Sequence, residues 1–144
     1  MISVPRKLIE IGWGDRVLTY EDFEGVADGE GIWVYRKQLR YDDGLFYFHR
    51  ERPIIVLNKN LMLGDLAWKA HHELTHYFLH PPALRYFAHG TTDKADYEAN
   101  YVSSIGCIPT RLVETATWEE IQEEYGYPND LKWVRMEYYS RYKR

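Results

Sequence analysis

The chain has 144 residues, of which 45% are hydrophobic and 28% charged, a composition typical of a single globular domain with its own core. Its net charge of −4 makes nucleic acid a poor first candidate for a direct partner, because nucleic-acid-binding domains carry an excess of positive charge. One cysteine, no signal peptide and no apolar run near the ~18 residues of a membrane span predict a cytoplasmic protein that is not bound to a membrane.

The first part of the chain predicts short helices followed by a small sheet. Thr19 is a candidate N-cap for a helix over about residues 20–27, and the glycines of the next four residues predict a turn. Three runs rich in β-branched and aromatic residues then follow, at 32–35, 45–48 and 54–57. Because these runs are consecutive and joined by tight turns, the sequence predicts a small, mainly antiparallel sheet.

The spacing of the apolar residues becomes helical over residues 65–80. One face of this predicted helix carries Leu66, Ala70, Leu74, Tyr77 and Phe78. Gly64-Asp65 offers a cap at its start, and Pro81 ends it because proline lacks the N–H that a helix needs.

Three more helices are predicted in the remainder of the chain. The first is capped by Asp93 and runs to about residue 105, the second opens with a capping box from Thr117 to Glu120, and the third opens at Asn129 or Asp130. No linker interrupts these elements. We therefore predict one α+β domain over residues 1–144, with its core at about 31–109 and C-terminal helices over 110–144.

The residues with the clearest chemistry form the segment His72-Glu73-Leu74-Thr75-His76 on the helix predicted over 65–80. Residues four apart lie one turn apart on the same helix face, so His72 and His76 can bind one metal ion together. Glu73 lies about 100° round the helix from His72, beside such an ion. This position suits a general base that accepts a proton from a water molecule.

A catalytic zinc site takes three protein ligands and keeps one position open, so a third ligand must come from another part of the chain. Glu98 is the best candidate, because it lies on the next predicted helix, and two packed helices bring such a residue within reach of the histidines. We predict one Zn²⁺ ion, although two histidines and a carboxylate also suit Mn²⁺ and Fe²⁺.

The other histidines and Cys107 receive simpler interpretations. His71 is expected behind the ligands, His80 at the helix end, and Cys107 as a small buried hydrophobic residue. His49 and His89 are expected on the surface. The donor that would stabilise an oxyanion is left open among Tyr77, Tyr86, His89 and Tyr101.

From about Gly31 to Pro109 the chain resembles the ImmA/IrrE family of metallopeptidases. The matching segments are Pro53–Asn58, His72–His80, Tyr97-Glu98-Ala99-Asn100 and Ile108-Pro109, with Thr75 where the family often has glycine. The resemblance implies a gluzincin-like fold with a metal-binding helix and a glutamate helix. It also implies that His72, His76 and Glu98 are the metal ligands. Glu73 would then be the base, and Asn100 would have a supporting role. The substrate would bind as a strand added to the edge of the sheet.

The function predicted from these residues is zinc-dependent hydrolysis of peptide bonds. Members of the family often act on a helix-turn-helix repressor, which here would be a separate protein, because no DNA-binding domain is recognisable in this chain. Two alternatives remain: a metal-binding regulatory protein that sequesters a repressor without cleaving it, and a structural helical adaptor whose histidines are incidental. Glu73 favours the enzyme, because a pure binding site needs no base beside its ligands.

Overall fold

The computed structural model describes residues 2–80 and 89–144, with side chains described for 2–80 and 93–144. The described residues form seven helices and three strands, which confirms the predicted α+β class. The elements are α1 Arg6–Glu10, α2 Tyr20–Gly29, β1 Trp33–Lys37, β2 Gly44–His49, β3 Arg52–Asn58, α3 Leu63–Leu79, α4 His89–Cys107, α5 Thr110–Thr115, α6 Trp118–Tyr125 and α7 Asn129–Tyr142. None of these helices is long and apolar enough to cross a membrane.

The sheet is mixed, with strand order β1-β3-β2. β2 and β3 form an antiparallel hairpin, as predicted, and its two-residue turn places Arg50 and Glu51 at positive φ. β1, however, pairs in parallel with β3, with Trp33 opposite Ile54. The prediction of a mainly antiparallel sheet is therefore wrong for one of the two strand pairs.

The connection between β1 and β2 explains this difference. The chain between them passes over the end of β3, where the Asn58 side chain donates hydrogen bonds to the carbonyls of Leu39 (3.0 Å) and Asp42 (3.3 Å). The backbone N–H of Asn58 also donates to the Asp43 carbonyl at 2.8 Å. These bonds carry the chain from one edge of β3 to the other, so β1 and β2 do not become neighbours.

The helix α3 packs on the inner face of the sheet and contacts β2, β3, α2 and α4. The residues at the centre of this packing are almost completely buried, and they include Ala70 and Leu74 from the predicted apolar face. The others are Phe46, Ile55, Leu57, Val102 and Ile105. Burial of these side chains fixes α3 between the sheet and α4, which is the arrangement that places its histidines.

The helix starts differ in part from the predictions. Thr19 caps α2 through a capping box with Asp22, and Thr117 caps α6 through one with Glu120, as expected. In contrast, α3 begins at Leu63, so Asp65 lies within its first turn, where a negative charge favours the helix dipole. α4 begins at His89, so Asp93 lies inside the helix and is not its cap.

A second cluster joins the C-terminal helices to α3, through Trp68, Cys107, Ile108, Ile121, Tyr127 and Leu131. Cys107 is completely buried there, as expected, and burial raises the pKa of its thiol to about 12. The buried Arg135 donates from Nε to the Ile108 carbonyl at 2.6 Å and so ties α7 to the end of α4.

Gly64 allows the start of α3 to approach the α6–α7 connection. A Cβ atom on Gly64 would collide with the Tyr127 ring and lie 2.6 Å from the Tyr125 carbonyl oxygen. We therefore expect Gly64→Ala to lower the free energy of unfolding by about 1–3 kcal/mol, the usual cost of overpacking. Urea unfolding followed by tryptophan fluorescence measures this change.

Gly25→Ala provides the matched control. Gly25 lies inside α2, and a Cβ atom there would meet no other atom within 4 Å. Alanine is better than glycine in a helix, so this variant should gain about 0.5–1 kcal/mol. Equal stability of the two variants would contradict the close contact at Gly64.

Candidate metal centre

Two histidine side chains of α3 point to the same place. His72 and His76 lie one helical turn apart, and their Nε2 atoms are 3.1 Å apart. His76 is completely buried, whereas His72 is partly exposed. The helical spacing in the sequence therefore brings the two imidazoles together as predicted.

The carboxylate that meets these histidines belongs to Asp96 on α4. Its Oδ1 atom lies 2.9 Å from His76 Nε2 and 3.5 Å from His72 Nε2. Among the side chains that the structure describes, these three form a group able to hold a metal ion. Zinc ligands bound at about 2.0–2.1 Å with tetrahedral angles lie about 3.3 Å from one another, so the observed separations fit Zn²⁺.

Glu98, which the sequence suggested as the third ligand, has a different position. Its Oε1 atom lies 3.1 Å from His80 Nε2, and Asp96 takes the place beside His72 and His76. The reason is helical geometry, because residues two apart lie about 200° round a helix from each other. Asp96 and Asn100, which are four apart, share the face of α4 that meets the histidines.

Asn100 supports the site as the resemblance implied. Its Oδ1 atom lies 2.9 Å from His72 Nδ1, which therefore donates a hydrogen bond to the amide oxygen. A histidine that carries its proton on Nδ1 presents Nε2 as a metal ligand. The position four residues before Asn100 also shares its helix face, and this spacing is the signal in the sequence that identifies Asp96.

Asp96 supplies the negative charge of the cluster. Hydrogen bonds with His72 and His76 hold the pKa of the Asp96 carboxyl far below its usual range. The carboxylate is thus anionic at neutral pH beside two imidazoles. This combination of donors is typical of sites for divalent transition-metal ions.

Glu73 lies in the cleft that leads to the cluster. The side chain is buried, with 5% of its surface exposed. The cleft has a volume of about 300 Å³ and is lined by Asp42, Asp43, Gly44, Trp68, Lys69, His72, Glu73, Asp96 and Asn100. The predicted base, two of the three clustered groups and the first residue of β2 therefore share one cleft.

Gly44 has a role in this cleft that the sequence analysis missed. A Cβ atom on Gly44 would lie 3.1 Å from Glu73 Cγ and 3.5 Å from Glu73 Cδ. The glycine at the start of β2 thus leaves the space that the Glu73 side chain uses. This role of Gly44 becomes visible only in the packing of β2 against α3.

Of the suggested oxyanion donors, the two whose side chains the structure describes, Tyr77 and Tyr101, do not line the cleft. The Tyr77 hydroxyl donates to Glu30 Oε1 at 3.0 Å, and Tyr101 is buried against Trp13 and Tyr138. Tyr86 and the His89 side chain lie outside the described residues.

His49 and His80 fit their simpler interpretations, whereas His71 lies neither on the outer side of the helix nor beside the clustered residues. His71 is buried on another face of α3, and its Nε2 donates to the Thr19 carbonyl at 2.8 Å. Burial lowers the pKa of His71, so it stays neutral in the core. His49 is exposed at the end of β2.

Comparison with known protein families identifies one matching family. A peptidase family model, described as the IrrE N-terminal-like domain, matches residues 27–129. The matched residues include the whole sheet, α3 and α4, and therefore all the residues of the cluster. No match was found among curated proteins or solved structures. Because the family model covers most of the chain, the protein belongs to the ImmA/IrrE family of metallopeptidases.

Proposed function

We propose that this protein is a zinc-dependent endopeptidase, with His72, His76 and Asp96 as the metal ligands and Glu73 as the general base. The observation that carries the proposal is the convergence of two imidazole nitrogens and a carboxylate oxygen within 3.5 Å of one another, beside a cleft that His72, Asp96 and Glu73 line. A zinc ion held by these groups would acidify a water molecule and polarise a carbonyl group.

The shared cleft supports the proposed role of Glu73 in proton transfer. It follows His72 directly on α3 and lines the same cleft as Asp96. A carboxylate there can accept a proton from the attacking water and pass it to the amine that leaves. Gly44 leaves room for the side chain and its buried surroundings restrict its movement, which favours catalysis by a positioned base.

The unpaired edge of β2 is the feature that favours an extended peptide as the substrate. Within the described residues β2 pairs only with β3, so its other edge carries backbone groups able to pair with an added strand. β2 begins at Gly44 in the cleft, so a peptide along this edge would pass close to Glu73 and His72. We propose that the physiological substrate is a helix-turn-helix repressor, on the ground of the family resemblance alone.

Metal analysis together with a cleavage assay tests this function. Protein purified without a histidine tag should contain about one zinc per chain. It should cleave either an unstructured protein such as casein or the repressor encoded by a neighbouring gene. A chelator should abolish this activity, and added Zn²⁺ should restore it. A stoichiometric complex that leaves the repressor uncut would support the regulatory binding protein. Absence of bound metal under all conditions would refute both functions.

We expect Gly44→Ala to impair catalysis without loss of metal. The added methyl group would press on Glu73 Cγ, which lies 3.1 Å away, and displace the carboxylate. The neighbours, Glu73 Cγ at 3.1 Å and Leu57 Cδ2 at 3.3 Å, must move by a few tenths of an ångström. Because a displacement of about 1 Å at a catalytic group can cost about 10²-fold, we expect a smaller fall in kcat, of about three- to tenfold. Steady-state kinetics and zinc content measure the two effects.

The control for this variant is Gly29→Ala at the end of α2, where a Cβ atom meets nothing within 4 Å. This variant should keep the kcat of the unaltered protein. A Gly44→Ala enzyme with an unchanged kcat would mean that the position of Glu73 does not depend on Gly44.

A further inference from the structure

A line of hydrogen bonds runs from His76 away from the cleft. His76 Nδ1 lies 2.9 Å from Nδ1 of His80, the residue that ends α3. His80 Nε2 lies 3.1 Å from Glu98 Oε1 on α4. His76 and His80 are both buried, and the Glu98 side chain is 24% exposed at the outer end of the line.

The donors and acceptors along this line have one consistent arrangement. If His76 Nε2 is a metal ligand, it carries no proton, so the proton of this imidazole is on Nδ1 and is donated to His80 Nδ1. His80 Nδ1 then accepts, which leaves the His80 proton on Nε2. That proton is donated to the Glu98 carboxylate, which accepts only.

We propose that Glu98 is a positioning residue, which acts through His80 to fix the tautomer and orientation of His76 for metal binding. This proposal rests on the proposed metal centre. Asn100 performs the same task for His72 in one step, because its amide oxygen accepts directly from His72 Nδ1. His76 lies deeper than His72, and the structure gives it the same support in two steps that end on a carboxylate.

The charge of Glu98 is the useful feature of this arrangement. A hydrogen bond to a carboxylate is about twice as strong as one between neutral groups, so His80 is held firmly with Nδ1 towards His76. Glu98 also lines an open cleft of about 470 Å³, together with Tyr97 and Tyr101. The carboxylate thus keeps contact with solvent while it anchors the buried histidine.

A double-mutant cycle on zinc affinity tests the coupling. Groups behind a metal ligand usually contribute about 10–100-fold to affinity, so Glu98→Gln, which removes only the charge, should weaken Zn²⁺ binding by about tenfold. His80→Asn should do the same, because its shorter side chain keeps an acceptor for His76 but loses Glu98. The double variant should bind Zn²⁺ as His80→Asn does, since Glu98 then has no route to the site.

Two controls separate a specific effect of Glu98 on zinc binding from a general effect of lost charge or lost stability. Glu123→Gln on α6 removes the same charge at an exposed site and should leave zinc affinity unchanged. Urea unfolding of the metal-free proteins should show that Glu98→Gln is folded, with only the small loss of stability expected when a carboxylate acceptor becomes an amide acceptor. Additive losses in the double variant, or an unchanged affinity in Glu98→Gln, would overturn the proposal while the metal centre itself stands.

The ring nitrogens of histidine report the tautomers directly. In the zinc-loaded protein, ¹⁵N chemical shifts should give His80 as the Nε2–H tautomer and His76 as the Nδ1–H tautomer. A His80 ring protonated on Nδ1 would overturn the proposal. An unaltered protein that binds no Zn²⁺ would refute the metal centre and the positioning role together, which separates that failure from the ones above.

Discussion

Asp96→Asn is expected to abolish tight zinc binding. The carboxylate oxygen that lies 2.9 Å from His76 Nε2 becomes an amide group, and the site loses one of three ligands together with its negative charge. Groups behind a metal ligand contribute about 10–100-fold to affinity, so loss of a ligand itself should cost more than about 10²-fold. Competition with a chromophoric chelator measures it.

Glu98→Gln is the decisive comparison for this experiment. Glu98 lies two residues from Asp96 on the same helix, and its carboxylate contacts His80. Its substitution should cost about tenfold, the smaller effect expected of a group that acts behind a ligand. The reverse order of the two losses would return the third-ligand role to Glu98, as the sequence suggested.

Glu73→Gln is expected to leave the metal in place and remove the activity. The amide is nearly the same size as the carboxylate, so the packing against Gly44 is kept, but an amide accepts no proton at neutral pH. A positioned general base contributes about 10²–10⁴-fold, and kcat should fall by this factor. Zinc content by mass spectrometry and cleavage of the same substrate give the two readings.

Glu123→Gln again serves as the control, since this exposed residue lies on α6, away from the cleft. It should keep both zinc and kcat. Full proteolysis by Glu73→Gln would exclude Glu73 as the base and with it the proposed mechanism.

The segments Pro53–Asn58, His72–His80 and Tyr97–Asn100 are sufficient to predict the central strand and the two helices of the metal centre, because these elements depend on local patterns. A four-residue spacing places His72 and His76 on one face, and β-branched runs form strands, whatever the rest of the chain does. The α+β class and the family follow from these segments alone.

The position of Asp96 required the packing of α4 on α3. Both Asp96 and Glu98 are acidic residues of one helix, and the rotation of that helix about its own axis decides which of them faces the histidines. The rotation is set by apolar residues of α4, such as Val102 and Ile105, that pack in the core. A motif search that starts from Glu98-Ala99-Asn100 does not contain this rotation. The four-residue spacing of Asp96 and Asn100 shows only that these two residues share a face of the helix.

The sequence by itself determined that this protein has a helix with two histidines and a base at metal-binding spacing, because helical periodicity is a local property. The tertiary structure decided the rest: which carboxylate completes the cluster, which edge of β3 receives β1, and that Gly44 makes room for Glu73. Each of these depends on contacts between residues far apart in the chain. Such contacts are selected by the packing of the whole core, and no short segment encodes them.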